Sequence, residues 1–250
     1  MSPTGIDLAE ATFTDVGETA GHGYVALLPV GSTEAHGPHL PLSTDVIIAR
    51  GMAFRAAELL AERGVRTVRL PPLAYGVTDC AAEFPGTITI SASVLETLIV
   101  DIARSLECQG ARGLVLCNAH LEPAHREALQ RTVETARGAG LRVVFPDCVR
   151  KPHALALGEE FRSGACHAGD YETSLVLALA PALVRTEVQK SLPDHPVSIG
   201  KALAEGKKTF KEAGGERAYF GFPARASIEN GRRWLEALAR MIADEAQVLG

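Results

Sequence analysis

The sequence predicts an α/β fold in which a mostly parallel sheet is flanked by helices on both faces. Short runs rich in Val, Ile and Leu alternate along the chain with amphipathic stretches of helical spacing. The distance between the runs leaves room for helical crossovers, which parallel strands require. With 250 residues and 46% hydrophobic composition, the chain can bury one sizeable core, so we expect a single domain over residues 1–250.

The predicted strands are apolar runs bounded by glycine, proline or polar residues. They cover residues 24–30, 65–70, 87–90, 114–117 and 141–145. The predicted helices cover residues 46–62, 93–110, 123–137, 173–180 and 228–249. Ser93 and Glu96 have the spacing of a capping box, which predicts the start of the second of these helices.

The remaining segments have weaker patterns. We expect an arm with a short helix or turn over 1–20, loops over 73–84 and 163–174, a short helix over 153–161, a charged surface helix over 200–215, and a loop or edge strand over 219–223.

Charge and composition argue against several classes of protein. The net charge is −5 and aromatic residues make up 5% of the chain, so we expect no nucleic-acid surface. No apolar run reaches the roughly 18 residues that a membrane span needs, and the polar N-terminal stretch does not resemble a secretory signal. The five cysteines show no CxxC spacing, which predicts reduced thiols in a cytoplasmic protein. No phosphate-binding glycine motif follows a strand, which argues against a nucleotide site.

Two pairs of metal-binding side chains follow two predicted strands. Glu34 and His36 come after the first strand, His120 and Glu122 come after the strand at 114–117, and Asp45 follows nine residues after His36. Residues two apart point the same way in an extended chain, and parallel sheets place sites at the carboxyl ends of their strands. Imidazole and carboxylate ligands suit Zn or Mn, and five ligands fit two ions that share a carboxylate.

Each of these residues also has a structural explanation. A single histidine after a strand often serves only as a hydrogen-bonded turn residue, and Asp45 has the position of an N-cap for the helix that follows. The recurrence of a Glu/His pair at two strand ends favours the metal site.

A third cluster, His167, Asp170 and Glu172, lies in one loop before a helix. His167 has the chemistry to orient a substrate or carry a proton, with a nearby carboxylate holding its tautomer. The alternative is that Asp170 caps the helix and Glu172 supports its first turn. Cys166 beside His167 suggests a thiol nucleophile, but adjacent residues rarely face each other, and no second feature favours it.

Four strings resemble the creatininase family of metal-dependent amidohydrolases. They are GSTEAHGPHLPLSTD at 31–45, FPGTITI at 84–90, NAHLE at 118–122 and HAGDYETS at 167–174. The resemblance covers roughly residues 24–235. It implies a creatininase-like three-layer α/β fold, two divalent ions per chain (Zn, Mn or Fe) and a homo-oligomer, usually a hexamer.

The resemblance also implies roles for individual residues. Glu34, Asp45 and His120 correspond to the ligands of one ion, and His36, Asp45 and Glu122 to those of the second, with Asp45 bridging.

Three further parts of the site carry over from the family. His167 corresponds to the histidine that handles protons, and Glu172 to the acidic residue of the same motif. The loops containing Thr78, Leu121 and Asp170 are expected to contact the substrate.

The expected activity is hydrolysis of an amide carbon–nitrogen bond in a small molecule by water that the two ions activate. The family also contains a peptidase that trims the mycofactocin precursor and a deformylase, and both activities remain alternatives. An alternative of another class is a non-catalytic metal-binding protein. Ala119 and Leu121 stand where creatininase has glycine and tyrosine, and the only tryptophan, Trp234, lies in the last helix. A tryptophan clamp for creatinine is therefore not expected.

Overall fold

The structure, a computed structural model, describes residues 5–249. Among these residues, five strands form one sheet: β1 (Ile6–Asp7), β2 (Tyr24–Val30), β3 (Thr67–Arg69), β4 (Ala111–Asn118) and β5 (Val143–Val144). The order across the sheet is β1-β3-β2-β4-β5, and all four pairings are parallel. The predicted α/β fold with a parallel sheet is confirmed.

Nine α-helices accompany the sheet in the described part of the chain. They are α1 (Phe13–Ala20), α2 (Thr44–Glu62), α3 (Ala92–Glu107), α4 (Pro123–Gly138), α5 (Gly158–Ser163), α6 (Asp170–Leu179), α7 (Thr186–Ser191), α8 (Ile199–Ala204) and α9 (Ile228–Ala246). Short 3-10 turns cover His153–Ala156, Pro181–Leu183, Pro223–Arg225 and Gln247–Leu249.

The sheet separates two hydrophobic layers because side chains alternate along its strands. Val25 and Leu27 of β2 pack in one layer with α2, α6 and α9, whereas Ala26 and Leu28 pack in the other with α3 and α4. All seven residues of β2 are buried, as expected for a central strand covered on both faces. The predicted flanking of the sheet by helices on both faces is therefore confirmed.

The connections reverse direction between the two central strands. From β2 the chain crosses to β3 on one side, and from β4 it crosses to β5 on the other side, while β2 and β4 pair directly. Such a reversal leaves a crevice at the carboxyl ends of the two strands, where α/β proteins bind ligands. The two predicted Glu/His pairs follow these two strands.

Two local predictions were wrong in the region before β4. Residues 87–90 form no strand of the sheet and make only isolated bridges, Thr33 with Ile88 and Gly76 with Thr89, because two successive prolines and a loop separate them from β3. The predicted capping box is absent: Ser91 is the N-cap of α3, without a side-chain cap bond, and Ser93 lies within the helix.

The irregular half of the chain differs more from prediction. Helix α8 covers only Ile199–Ala204, whereas the prediction extended over 200–215. The helix ends because Gly206 follows with φ +92°. Helix α6 begins at Asp170, three residues early, and both α7 and β1 were not predicted. Of the arm with a short helix or turn predicted over 1–20, residues 13–20 form helix α1, and residues 1–4 lie outside the described residues.

All five cysteines are free, as predicted. Within residues 5–249, no helix has the length and apolar character needed to cross a membrane.

Candidate metal centre

The loop after β2 and the start of α2 bring three acidic or imidazole side chains together. A Cβ at Gly31 would lie 2.7 Å from the Val46 nitrogen, so only glycine permits this close approach of the two segments. Asp45 therefore lies beside Glu34 and His36. Ser43, not Asp45, is the N-cap of α2, so the N-cap explanation for Asp45 was wrong.

Both histidines of the predicted pairs have one nitrogen fixed by a backbone carbonyl. His36 Nδ1 lies 3.2 Å from the Glu34 carbonyl oxygen, and His120 Nε2 lies 2.8 Å from that of Val77. Since a carbonyl only accepts, these nitrogens carry a hydrogen, and in the neutral imidazoles His36 Nε2 and His120 Nδ1 are left with lone pairs. Metal-binding histidines have this arrangement.

Asp45 presents one carboxylate oxygen to each histidine. Its Oδ1 lies 3.2 Å from His36 Nε2, and its Oδ2 lies 3.1 Å from His120 Nδ1. Asp45 Oδ2 and His36 Nε2 are buried and have no hydrogen-bond partner in the described part of the chain. Buried polar atoms normally have partners, so these two atoms suit the binding of a cation, with Asp45 placed between two candidate sites.

The candidate ligands form three overlapping sets within which ligand atoms lie no more than 4.8 Å apart. The sets are Glu34, His120 and Glu122; His36, Asp45 and Glu172; and Glu34, His36 and His167. This grouping differs from the one that the resemblance implies, because Glu172, rather than Glu122, accompanies His36 and Asp45. Its Oε2 lies 3.4 Å from His36 Nε2.

The buried carboxylates attract positive charge strongly. Burial lowers the pKa of His36, but Asp45 and Glu172 outweigh burial and raise it to about 10. Burial likewise opposes protonation of His120, yet Glu34 and Asp45 raise its pKa well above the usual value. The pKa of Asp45 is lowered, since His36 and His120 outweigh its burial. Without another cation, protons on the histidines neutralise the site, and a divalent ion can replace them.

Thr78 and Glu122, two of the predicted site residues, have different positions relative to the cavity. Thr78 is fully buried and its hydroxyl donates to Glu34 Oε2, so it contacts a candidate ligand and does not line the cavity. Its substrate contact stays a prediction. Glu122 accepts the backbone N–H groups of Asp79 and Cys80, each at 3.1 Å, and faces the cavity.

His167 lies between the candidate metal site and the cavity. Its Nε2 donates to the Ala35 carbonyl at 2.9 Å, so Nδ1 is the nitrogen free to exchange a proton, and it lies 3.8 Å from Glu34 Oε1. Burial and the nearby His36 lower the pKa of His167 to about 4. Its ring packs against His36 and Phe210, each with centroids 4.4 Å away.

The third predicted cluster is divided by the structure. Glu172 faces the candidate ligands and accepts the Ala168 N–H at 2.6 Å, whereas Asp170 turns away and accepts from Ser174 Oγ at 2.8 Å. Ala168 has φ +50°, an unusual value for a residue with a Cβ, at the junction between His167 and α6. Leu121 lines the cavity and Asp170 does not, and the substrate contact of Leu121 stays a prediction. The predicted substrate contact of Asp170 has no support in these contacts.

Sequence reasoning missed a buried network behind His120. His125 Nδ1 accepts the Val77 N–H at 3.3 Å, and its Nε2 donates to Asn118 Oδ1 at 3.1 Å. Asn118 Nδ2 in turn donates to the His120 carbonyl at 2.7 Å. The sequence NAHLEPAH places His125 five residues after His120, just inside the start of α4. This second histidine was the feature of the sequence from which the network could have been predicted.

A second missed residue is Glu160, a buried carboxylate on α5. Its Oε2 accepts the N–H groups of Asp170 and Phe222, and its Oε1 accepts that of Tyr171. It thereby fixes the start of α6, which carries Glu172. No sequence pattern indicated it, because all three donors are remote backbone groups.

Comparison with known proteins agrees with this architecture. The family model Creatininase: Creatinine amidohydrolase matches residues 9–245. A mycofactocin precursor peptide peptidase of Mycobacterium tuberculosis is 34% identical, covering 85% of this chain and 80% of that protein. A creatinine amidohydrolase of Pseudomonas putida is 31% identical, with 69% of each chain covered. A solved structure described as creatininase Mn superimposes with a TM-score of 0.75 at 28% identity, covering 98% of both chains. The chain belongs to the creatininase family.

Proposed function

We propose that this hydrolase cleaves the amide carbon–nitrogen bond of a small molecule with the help of two divalent ions, Zn, Mn or Fe. The observation that carries the proposal is the placement of Asp45, with one carboxylate oxygen 3.1–3.2 Å from each of two histidines whose other nitrogens are fixed by backbone carbonyls. Relatives described as Mn and Zn forms of creatininase support the choice of metals.

The proposed ligands follow the geometry of the side chains. Glu34, Asp45 and His120 would hold one ion, and His36, Asp45 and Glu172 would hold the other. Glu122 is placed on the side of the first ion, because it lies with Glu34 and His120. When bound, the ions supply Lewis acidity to the amide carbonyl and lower the pKa of the attacking water.

The chain's own side chains handle the protons. Glu122 faces the cavity with its carboxylate oriented by two backbone N–H groups, a suitable position for taking a proton from water. His167 holds its Nε2 hydrogen on Ala35 and uses Nδ1 to pass a proton to the departing nitrogen. Because both line the same cavity, the substrate amide lies between them.

A peptidase is the second candidate function. The observation that favours it is the similarity to the mycofactocin precursor peptide peptidase, which is 34% identical over 85% of this chain. The match to the creatinine amidohydrolase covers less of this chain, 69%. A deformylase remains a further alternative. A purely structural metal site is disfavoured, because such sites are usually closed, whereas these ligands border a cavity.

The test combines metal content with substrate range. Elemental mass spectrometry on protein purified without chelators is expected to find about two ions per chain, as in dinuclear hydrolases. A panel of lactams, ureides, formamides and short peptides then identifies the amide class. Absence of tightly held metal after adding Zn or Mn contradicts the proposal, and cleavage of peptides alone favours the second candidate.

The proposal extends to the assembly and the location of the protein. A homo-oligomer, by family resemblance a hexamer, and a cytoplasmic location in keeping with five free cysteines are part of the proposal. Light scattering after gel filtration measures the assembly, with the 26.5 kDa of one chain as the reference.

A further inference from the structure

The cavity beside the candidate metal site has a mainly apolar wall. Its volume is about 200 Å³, below the roughly 300–1,000 Å³ of clefts that hold drug-sized ligands. Apart from the metal-side carboxylates and histidines, most of its lining is apolar. These apolar residues include Leu121, Val149, Phe161, Ile199, Leu203 and Phe210. A cavity of this size and character suits one apolar side chain rather than a long polymer.

The apolar wall begins directly beside the proposed proton donor. Phe210 packs on the His167 ring with centroids 4.4 Å apart, and Ile199 and Leu203 of α8 extend the wall from there. In the proposed reaction, His167 passes a proton to the departing nitrogen. The group attached to that nitrogen therefore lies against the apolar wall, so the apolar part of the substrate belongs to the leaving amine.

Arg126 is the one arginine or lysine in the described lining of this cavity. Its Nε and Nη2 donate to the two carboxylate oxygens of Asp147, at 3.2 and 2.6 Å, while Nη1 has no hydrogen-bond partner among residues 5–249. Asp147 is also approached by Arg150 Nε at 3.7 Å. Asp147 engages Nε and Nη2 of Arg126, so Nη1 is the donor left at this wall to bind an anionic group of the ligand.

We propose that the substrate is an N-acylated amino acid, or the C-terminal residue of a short peptide, with an apolar side chain and a free carboxylate. The side chain lies against Leu203 and Phe210, and the carboxylate binds Arg126. Water adds its oxygen to the acyl carbon, the carbon–nitrogen bond breaks, and the amino acid leaves with the added proton on its nitrogen. This inference rests on the proposed function, because it takes the amide to lie between Glu122 and His167.

The test uses three probes on the metal-loaded full chain: N-acetyl-L-leucine, N-acetyl-L-leucinamide and N-acetylglycine. Binding is measured by titration calorimetry, and hydrolysis by release of free amine. We expect N-acetyl-L-leucine to bind at least about tenfold more tightly than either of the other probes, a factor that one well-placed contact supplies. The leucinamide lacks the carboxylate, and the acetylglycine lacks the side chain, so each probe removes one contact.

Variants assign the two contacts. Arg126→Met is expected to abolish the preference for the acid over the amide, and Arg126→Lys, which keeps the charge, to retain part of it. Leu203→Ala is expected to reduce the preference for leucine over glycine. Arg150→Met is the matched control, since Arg150 also approaches Asp147 but does not line the cavity. Circular dichroism establishes that each variant is folded.

The outcomes separate this inference from the proposed function. Equal binding of the three probes, or an unchanged acid preference in folded Arg126→Met, overturns the inference. Selective binding that depends on Arg126, without amine release from any amide, supports the inference and contradicts the proposed function. Hydrolysis of other amides without this selectivity overturns the inference and leaves the proposed function standing.

Discussion

The metal side of the site and the cavity side differ in burial and in the elements that form them. Glu34, His36, Asp45 and His120 are 1–3% exposed and come from segments that directly follow β2 and β4 or begin α2. The cavity wall comes from α4, α5, α8 and irregular segments, and Val149 in it is 40% exposed. The contrast suggests that the centre proposed for catalysis can stay constant while the loops change the substrate, as in many enzymes with loop-borne specificity.

The largest effect is expected for Asp45→Ala on the metal side. Asp45 lies between the two proposed sites, so its removal should release both ions and reduce activity below about 1% of wild type, since loss of an outer partner alone costs about 10–100-fold. Elemental mass spectrometry and an activity assay measure both. Asp101→Ala, at an exposed residue paired with Arg104, is the control. Full metal and activity in Asp45→Ala would contradict the bridging assignment.

A smaller effect is expected for His125→Ala, behind the metal side. His125 holds Val77 and Asn118, which both contact His120, so affinity for the first ion should fall about 10–100-fold. The unpaired Val77 N–H should also cost about 1–3 kcal/mol of stability. Competition with a metal-binding dye measures the affinity, and His153→Ala, which removes a partly exposed contact with Glu245 away from the site, is the control. Unchanged affinity would show that this network is not needed to orient His120.

Glu160→Gln tests the junction between the two sides. Losing a carboxylate that accepts three N–H groups should destabilise the chain by about 1–3 kcal/mol. Burial raises the pKa of Glu160 to about 7, above its usual 4.5. Between about pH 4.5 and about pH 7 the unfolded chain has lost the Glu160 proton while the folded chain still binds it. The contribution of this carboxyl to the free energy of unfolding is therefore greatest at low pH and declines through this window. The gap between wild type and Glu160→Gln should therefore narrow from pH 5 to pH 8.

Urea denaturation of the chelator-treated protein at several pH values measures this gap, with the exposed neighbour variant Glu159→Gln as the control. A gap that widens with pH would mean that the three N–H groups outweigh burial and hold Glu160 ionised at neutral pH.

The smallest effect on the metal content is expected from a substitution in the cavity wall. Leu203→Ala should leave the metal content unchanged and cost less than the roughly 2–5 kcal/mol of a fully buried Leu→Ala change, because Leu203 is only partly buried. Loss of an ion in this variant would show that the two sides are coupled, against the contrast drawn above.

The sequence predicted the metal side better than the cavity side, for physical reasons. Glu34, His36, His120 and Glu122 follow strands whose apolar runs are evident, and parallel pairing brings strand ends together. Glu172 was predicted as a site residue but with a different partner set, because its placement depends on where α6 begins and on the distant carboxylate of Glu160.

Most of the residues that line the cavity were not predicted, because their positions depend on tertiary contacts. The short α8 carries weak periodicity, and its pattern extended the prediction past Gly206 to 215. The backbone N–H of Phe210 donates to the Cys80 carbonyl at 2.8 Å, a contact that holds Phe210 at the cavity and joins segments 130 residues apart in sequence. No local pattern encodes such a contact, so Leu203, Phe210 and Arg126 could be found only in the structure.

The most direct test of the account is the metal content of Glu172→Gln and Glu122→Gln, measured side by side by elemental mass spectrometry. The geometry predicts that Glu172→Gln retains about one ion per chain, because Glu172 completes the set with His36 and Asp45. Glu122→Gln is expected to retain about two ions and lose activity, because Glu122 is proposed as the proton acceptor that two backbone N–H groups orient. The reverse result, with one ion lost in Glu122→Gln and none in Glu172→Gln, would contradict the assignment of the second site.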